Sequence, residues 1–534
     1  MTAANDFINT YELYDICLQF LVQPTMPTYL FPFQTLASLA RVSKATSSLA
    51  LDTLWRTLFD PCPLLRLLPT DACKLESKKF VLIRPLLESD FEAFDKYAYR
   101  VRVVDFSHLR SGGGIMGCDL FPVLRQHRDP IFPRLLEFEW RPSAVFNTTG
   151  AFHIIASGVP AEKLTLAVRA NLIDAWYQNQ PWYTPADPQA IAALLHEPLA
   201  SWLPNVTSIE LRTEGGDYRY RDLLGGLRAL TRLQHISCDF TVGPEIISYL
   251  AALPDLLSLR LDKEGVDFIC DVKNVVDARR VRSGEQSFSA LEKIEIHAWN
   301  YDAFCGLFGI VDSPCLHTVI FSLSNFHPID TAFLYLVTGP DLARSLDRRD
   351  ALRHVELAIP PPDPDSDVLL SPTVLEALYY CPNLEALHLN AAIVLRDADI
   401  ERMASSWPNL ERLFAYNGGQ PPEVHLHSLG LLAALCRRLR KIEIAVDASD
   451  YKPTTYASPS ETVKELWLME SILEPEDIGP VVEFLQHTFP RMVQFLASGP
   501  SWPDVMKAIS SDQVNEFEDD GFTEDEEGIG DGTS

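Results

Sequence analysis

The sequence predicts an α/β repeat solenoid, built of parallel short strands and helices, preceded by a small all-α N-terminal domain. Three observations carry this: a recurring apolar-x-x-apolar-x-apolar pattern, prolines at a fixed place before it, and amphipathic segments upstream of those prolines. The chain has 534 residues, more than a single hydrophobic core sustains, so it requires several domains or a repeat array. Its 47% apolar and 22% charged residues are those of a folded protein.

The strand pattern starts with Val101-Val104-Phe106, Leu135-Phe138-Trp140, Ala161-Leu164-Leu166 and Val206-Ile209-Leu211. It continues through Leu233-Ile236-Cys238, Leu256-Leu259-Leu261, Leu291-Ile294-Ile296, Leu316-Val319-Phe321 and Leu352-Val355-Leu357. Leu384-Leu387-Leu389, Leu410-Leu413-Ala415, Leu439-Ile442-Ile444 and Val463-Leu466-Leu468 follow, with Met492-Phe495-Ala497 as a weak last copy. Pro133, Pro204, Pro254, Pro314, Pro382, Pro408 and Pro490 each stand two residues before a first apolar position. Proline cannot continue a helix and pushes its predecessor into extended backbone, so it suits the end of a helix and the start of a strand. Upstream, Ile246, Ile247, Leu250 and Leu253 precede Pro254 at helical spacing. Val374, Leu375, Leu378 and Tyr379 do the same before Pro382, and Val481, Val482, Leu485 and Phe489 before Pro490. Successive copies lie 23 to 45 residues apart, most of them near the period of about 20–29 that marks leucine-rich repeats. A short strand plus a helix cannot bury its apolar face alone, so neighbouring copies must stack. Stretches such as CPNLEALHL and WPNLERLFA resemble the irregular leucine-rich repeats of F-box proteins.

Residues 11–59 differ in character. Glu12, Leu13, Ile16, Cys17, Phe20 and Leu21 form one short amphipathic helix; Leu36, Leu39, Val42, Leu51, Leu54 and Trp55 supply the apolar positions of a second stretch. Glu12-Leu13, Leu36-Leu39-Ala40-Arg41-Val42 and Leu54-Trp55-Arg56 resemble the start, middle and close of an F-box. Pro63-Leu64-Leu65-Arg66-Leu67-Leu68-Pro69 resembles F-box proteins of mushroom-forming fungi. The chain departs from the F-box pattern at Tyr11, where proline is usual, at Ser43, where cysteine is common, and in extra residues between the first two helices. The resemblance implies that Leu13, Ile16, Leu36, Leu39, Val42, Leu54 and Trp55 dock a Skp adaptor and through it a cullin ligase. The domain plan is then 1–60 F-box-like, 61–100 linker or helical cap, 101–505 repeats and 506–534 acidic disordered tail.

Charge narrows the partners. A formal charge of -28, from 73 acidic and 45 basic residues, repels phosphate backbones and anionic lipid, so neither nucleic acid nor membrane is expected. No apolar run reaches the roughly 20 residues that span a bilayer, and the start of the chain has no leader-like pattern. Ten cysteines without a C-x-x-C pair suit a reducing compartment, cytoplasmic or nuclear. Gly112-Gly113-Gly114 lacks the Lys-Ser/Thr of a phosphate loop, and Asp363, Asp365 and Asp367 lack the Gly and Glu of a calcium loop. His425 and His427 alternate as on a strand, with no carboxylate at ligand spacing. No cofactor, metal or catalytic constellation is expected.

By period-two alternation the third, fifth and seventh positions of each copy face outward on the concave side. Near the C-terminal end these include His388, Arg412, Phe414, Tyr416, Trp467 and Met469, a candidate site for an unknown target protein. The expectation is a non-enzymatic recognition protein. With the resemblance it is the substrate receptor of a Skp–cullin–F-box ubiquitin ligase; without it, a leucine-rich-repeat scaffold unconnected with ubiquitin.

Overall fold

The computed structural model describes residues 33–76, 79–106, 120–140, 162–169, 205–214, 227, 230–238, 244–262, 287–298, 311–323, 349–358, 372–391, 393–449 and 459–517. They belong to two compact units, Met1–Ser313 and Pro314–Ser534.

The first unit opens with α1 (Phe33–Val42) and α2 (Lys44–Arg56), followed by β1 (Thr57–Leu58), α3 (Cys62–Leu65), β2 (Cys73–Glu76) and β3 (Lys79–Leu82). Helix α4 (Glu92–Ala98), β4 (Val103–Asp105), α5 (Phe121–His127), β5 (Glu137–Trp140), β6 (Lys163–Arg169) and β7 (Ser208–Glu214) come next. The unit ends in β8 (His235–Cys238), α6 (Pro244–Leu250), β9 (Ser258–Leu261) and β10 (Lys293–Ala298). Strands β1 and β4 to β10 form a parallel ladder in that order, while β2 and β3 pair as a separate antiparallel hairpin.

The second unit contains β11 (Thr318–Leu323), β12 (His354–Ala358), β13 (Ala386–Asn390), α7 (Asp397–Ser406) and β14 (Arg412–Ala415). It continues with α8 (Leu426–Leu435), β15 (Lys441–Ile444), β16 (Glu465–Leu468), α9 (Ile478–Thr488), β17 (Gln494–Ala497) and α10 (Trp502–Phe517). Its seven strands also pair in parallel, each with its neighbour in sequence. Each unit is thus an α/β repeat solenoid of the leucine-rich-repeat kind.

All fourteen apolar patterns become strands β4 to β17, each strand starting two residues after the first apolar position. The fourth and sixth positions form two buried rows. In the second unit Val319, Val355, Leu387, Leu413, Ile442 and Leu466 make one, and Phe321, Leu357, Leu389, Ala415, Ile444 and Leu468 the other.

The prolines have a more specific place than the end of a helix. In Phe132-Pro133-Arg134-Leu135, Cys381-Pro382-Asn383-Leu384, Trp407-Pro408-Asn409-Leu410 and Phe489-Pro490-Arg491-Met492, the last N–H donates to the first carbonyl at 3.1–3.3 Å. Proline therefore occupies the second position of a four-residue turn, where its fixed φ is already correct. The residue before it is buried each time, as Phe132, Cys381, Trp407 and Phe489. Trp407 also donates its Nε1–H to the Leu378 carbonyl at 2.9 Å. Cys436 takes the equivalent place without a proline, its thiol donating to the Trp407 carbonyl at 3.3 Å and pushed up to about 12 by burial.

Five sequence expectations need correction. The segment before Pro382 forms two 3-10 turns, Pro372–Glu376 and Leu378–Tyr380, rather than an α-helix. At about 2.0 Å per residue against 1.5 Å, 3-10 geometry carries a short span further along the layer. The stretch expected as linker or helical cap contains the β2–β3 hairpin, and β1, not read from the sequence, joins the ladder against β4. The stretch expected as disordered from 506 is helical to Phe517, with Ile509 buried. Finally, His425 and His427 lie at the start of α8, not on a strand. Leu13, Ile16, the glycine run at 112–117, the aspartates at 363–367 and residues 518–534 lie outside the described residues.

At the end of the second ladder Trp502 is fully buried and donates its Nε1–H to the Ser471 carbonyl at 2.9 Å. Gly499 beside it has φ +138°, and a Cβ there would lie 2.9 Å from both the Ser471 oxygen and Trp502 Cδ1. Gly499→Ala should cost on the order of 1–3 kcal/mol in chemical denaturation. Trp407→Ala should cost about 3–5 kcal/mol, and Trp407→Phe clearly less. An unchanged denaturation midpoint for either alanine variant would contradict this packing.

Candidate protein-binding face

Alternation along each strand turns the third and fifth positions away from the buried rows. In the second unit the ladder aligns Glu356, His388, Phe414, Glu443, Trp467 and Leu496 in one outer row, and His354, Ala386, Arg412, Lys441, Glu465 and Gln494 in the next. The sequence-derived candidates His388, Arg412 and Phe414 are brought together here. His388 meets the Phe414 ring edge-on at 4.1 Å between centroids and lies 3.6 Å from a Glu356 oxygen. Burial, with the charges of Lys441 and Arg412, holds the His388 imidazole below its ordinary value despite Glu356.

Trp467 is not an isolated aromatic anchor. Lys441 Nζ sits 3.5 Å from its ring centroid, and the same ammonium lies 3.6 Å from Glu443 and 3.5 Å from Glu465. Burial, helped by Glu465, raises the Glu443 carboxyl against the pull of Lys441. The indole Nε1 is buried without a hydrogen-bond partner among the described residues. Strand β15 thus places a lysine and a glutamate between the Phe414 and Trp467 positions. Met469 is exposed just past β16, and half-buried Tyr416 donates its backbone N–H to the Leu389 carbonyl at 2.9 Å. Leu496, absent from the sequence-derived set, stands beside Trp467 and is exposed. Its period-two position was readable, but it lies in the weakest copy.

The first unit's outer rows are more polar. Glu295, expected outside, is only 8% exposed. His297 Nε2 at 3.1 Å, Lys293 Nζ at 3.1 Å and Arg260 Nη1 at 3.0 Å surround its carboxylate. The His297 hydrogen bond first, then Lys293 and Arg260, outweigh burial and lower the carboxyl to about 2. Of the side chains on the second unit's outer rows, the rings of Phe414 and Trp467 and the guanidinium of Arg412 are of the types enriched in protein interfaces, whereas the carboxylates and Lys441 are not.

The adaptor candidates lie in the first unit. Leu36 is fully buried with Leu49, and Leu39 and Leu54 pack against that pair. Trp55 packs on Tyr97 at 4.8 Å between centroids. Val42 is 71% exposed. Ser43 is the N-cap of α2, its hydroxyl accepting the Thr46 N–H at 3.2 Å, so a short polar side chain is required where the F-box pattern has cysteine. Leu13 and Ile16 lie outside the described residues.

The histidine pair has a carboxylate neighbour that sequence spacing did not show. Asp397, at the start of α7 on the preceding repeat, accepts from His425 Nδ1 at 2.7 Å and lies 3.8 Å from His427 Nε2. It also accepts the His425 backbone N–H at 2.8 Å and the Ser428 hydroxyl at 2.5 Å, tying the starts of two helices together. Among the described residues no group of three or more His, Cys, Asp or Glu has the arrangement to hold a metal ion. Among the same residues no helix is long and apolar enough to cross a membrane.

No protein family matches the chain by sequence, and neither does any curated protein. Among solved structures, TLR13 in its complex with ssRNA13 is 12% identical with a TM-score of 0.36, over 76% of this chain and 56% of that one. The chain thus spans little more than half the length of TLR13. Yeast Rad7, from its complex with Elc1, is 12% identical with a TM-score of 0.38, over 72% and 84%. Drosophila Toll, from its complex with Spatzle, is 12% identical with a TM-score of 0.35, over 63% and 40%. The fold assignment rests on the parallel ladders themselves.

Because the folded Glu295 carboxyl titrates below its ordinary 4.5, its stabilisation is complete above about 4.5 and is lost as pH falls through about 2. Glu295→Gln should therefore cost about 1.5–3 kcal/mol near pH 7. The difference from wild type should shrink in acid, and a pH-independent difference would show that the charge is not what matters.

Proposed function

We propose that this chain is the target-recognition subunit of a Skp–cullin–F-box ubiquitin ligase. It holds the adaptor through its N-terminal helices and a target protein through the outer rows around His388, Arg412, Phe414, Tyr416, Trp467 and Met469. The observation that carries this reading is the helical pair α1–α2, whose residues resemble the middle and close of an F-box. It runs directly into β1, which pairs with the first repeat strand β4. Catalysis belongs to other subunits; the chain contributes proximity, raising the local concentration of target lysines near the charged ubiquitin carrier. No cofactor is needed.

A second reading has its own support. Leu36 is buried within the pair and Trp55 packs on Tyr97, as helices that only cap the end of a repeat array would do. On that reading the chain is a protein-interaction scaffold unconnected with ubiquitin.

Co-expression of the full chain with a Skp adaptor separates the two. The ligase reading expects one-to-one co-elution, weakened about tenfold or more, or about 1.4 kcal/mol, by Val42→Asp with an unchanged melting temperature. A folded full chain that does not co-elute would leave the scaffold.

A further inference from the structure

The second unit carries a group of cations without counter-ions among the described residues, in a chain whose acidic residues outnumber its basic ones 73 to 45. The turn between α8 and β15 reads Cys436-Arg437-Arg438-Leu439-Arg440. Arg438 pairs with Glu411 on the preceding repeat, and Arg491 pairs with Glu461 at 2.9 Å. Arg437, Arg440 and Lys464 are all exposed, and none has an ion-pair partner among the described residues. They are neighbours, since the Lys464 N–H donates to the Arg440 carbonyl at 2.9 Å. The next place in that row is Val493, 76% exposed, whose N–H donates to the Lys464 carbonyl at 2.8 Å. Two adjacent cations, a third in the same turn and an uncovered apolar side chain make a surface suited to an acidic segment with an occasional apolar residue.

We propose that the occupant is the chain's own C-terminus, residues 518–534, which acts as an internal competitor for this patch. That segment holds eight acidic residues, no Lys or Arg, and Phe522 among them. It follows α10, whose Trp502 packs on Phe495 of β17 at 6.2 Å between ring centroids. Helix α10 is about 24 Å long at 1.5 Å per residue. The patch runs from Val493, just before β17, to Arg440, just before β15, about 10 Å across at about 4.8 Å per strand. Seventeen extended residues reach roughly 55 Å, enough to return along the helix and cover both strands. Tethering supplies the segment at an effective concentration on the order of millimolar, so modest affinity fills the site until a stronger acidic partner displaces it. The inference does not depend on adaptor binding.

The test keeps the full chain and uses a labelled peptide of residues 518–534 as probe. Fluorescence anisotropy compares wild type with a full-length variant whose eight acidic residues in 518–534 are replaced by the corresponding amides. The amide variant should bind the peptide at least about tenfold tighter than wild type, because its own segment no longer competes. Adding Arg437→Glu, Arg440→Glu and Lys464→Glu to that variant should remove binding without changing its melting temperature. Raising salt from about 20 to about 300 mM should weaken it strongly. Equal binding by wild type and amide variant would overturn self-occupancy. So would no binding to the amide variant at low salt, or binding that survives the charge reversals.

Discussion

One backbone arrangement sets the register of both units. The carbonyl just before each strand accepts two N–H groups from the next repeat. Glu385 O takes Glu411 N at 2.7 Å and Arg412 N at 3.1 Å, and Arg440 O takes Lys464 N at 2.9 Å and Glu465 N at 3.0 Å. The first unit repeats this at Leu136, Glu162, Thr207, Gln234 and Leu257. A slip of one residue would turn every buried row outward, because the side-chain period along a strand is two. The doubled acceptor and the buried rows therefore enforce the same alignment, and irregular segments between strands are tolerated because neither depends on them.

That alignment builds the surface as well as the core. Since strands pair in register, residues from distant parts of the chain become lateral neighbours: Glu356, His388, Phe414, Glu443, Trp467 and Leu496 form one row although they span 140 positions (496 minus 356). The row's chemistry is mixed, and its charges neutralise one another locally. Lys441 serves Glu443, Glu465 and the Trp467 ring together. Glu295 in the first unit is held by three cationic or protonatable side chains. Among the described residues such neutralisation is lacking at Arg437, Arg440 and Lys464, which leaves unbalanced positive charge there.

The recurring turn shows how a local rule becomes architecture. A buried residue, a proline and two more residues bring the chain from the helix layer into the strand, as at Trp407-Pro408-Asn409-Leu410. The buried residue closes the layer from below: Trp407 reaches the Leu378 carbonyl, and Cys436 reaches Trp407. Bulky or thiol side chains are equally suitable because the place demands burial, not one shape; Phe132 and Phe489 fill it with no donor at all.

By itself the sequence determined where strands β4 to β17 lie and which positions form the two buried rows of the second unit from β11 to β16, because period-two alternation and fixed φ at proline are local properties. All fourteen strands from β4 to β17 begin where the apolar pattern places them. It did not determine β1, which has only two residues, or the β2–β3 hairpin, since in β2 only Cys73 is buried and no alternation marks the strand. The 3-10 turns before Pro382 were beyond it as well, since apolar spacing does not separate them from an α-helix. Nor did it decide the state of outer-row side chains. Lys441 against Trp467, Asp397 beneath the histidine pair and Arg260 on the Glu295 carboxylate all depend on residues some tens of positions away. Only the stacking of one repeat on the next brings those groups within a few ångströms, and electrostatic and dispersion forces act over that distance rather than along the chain.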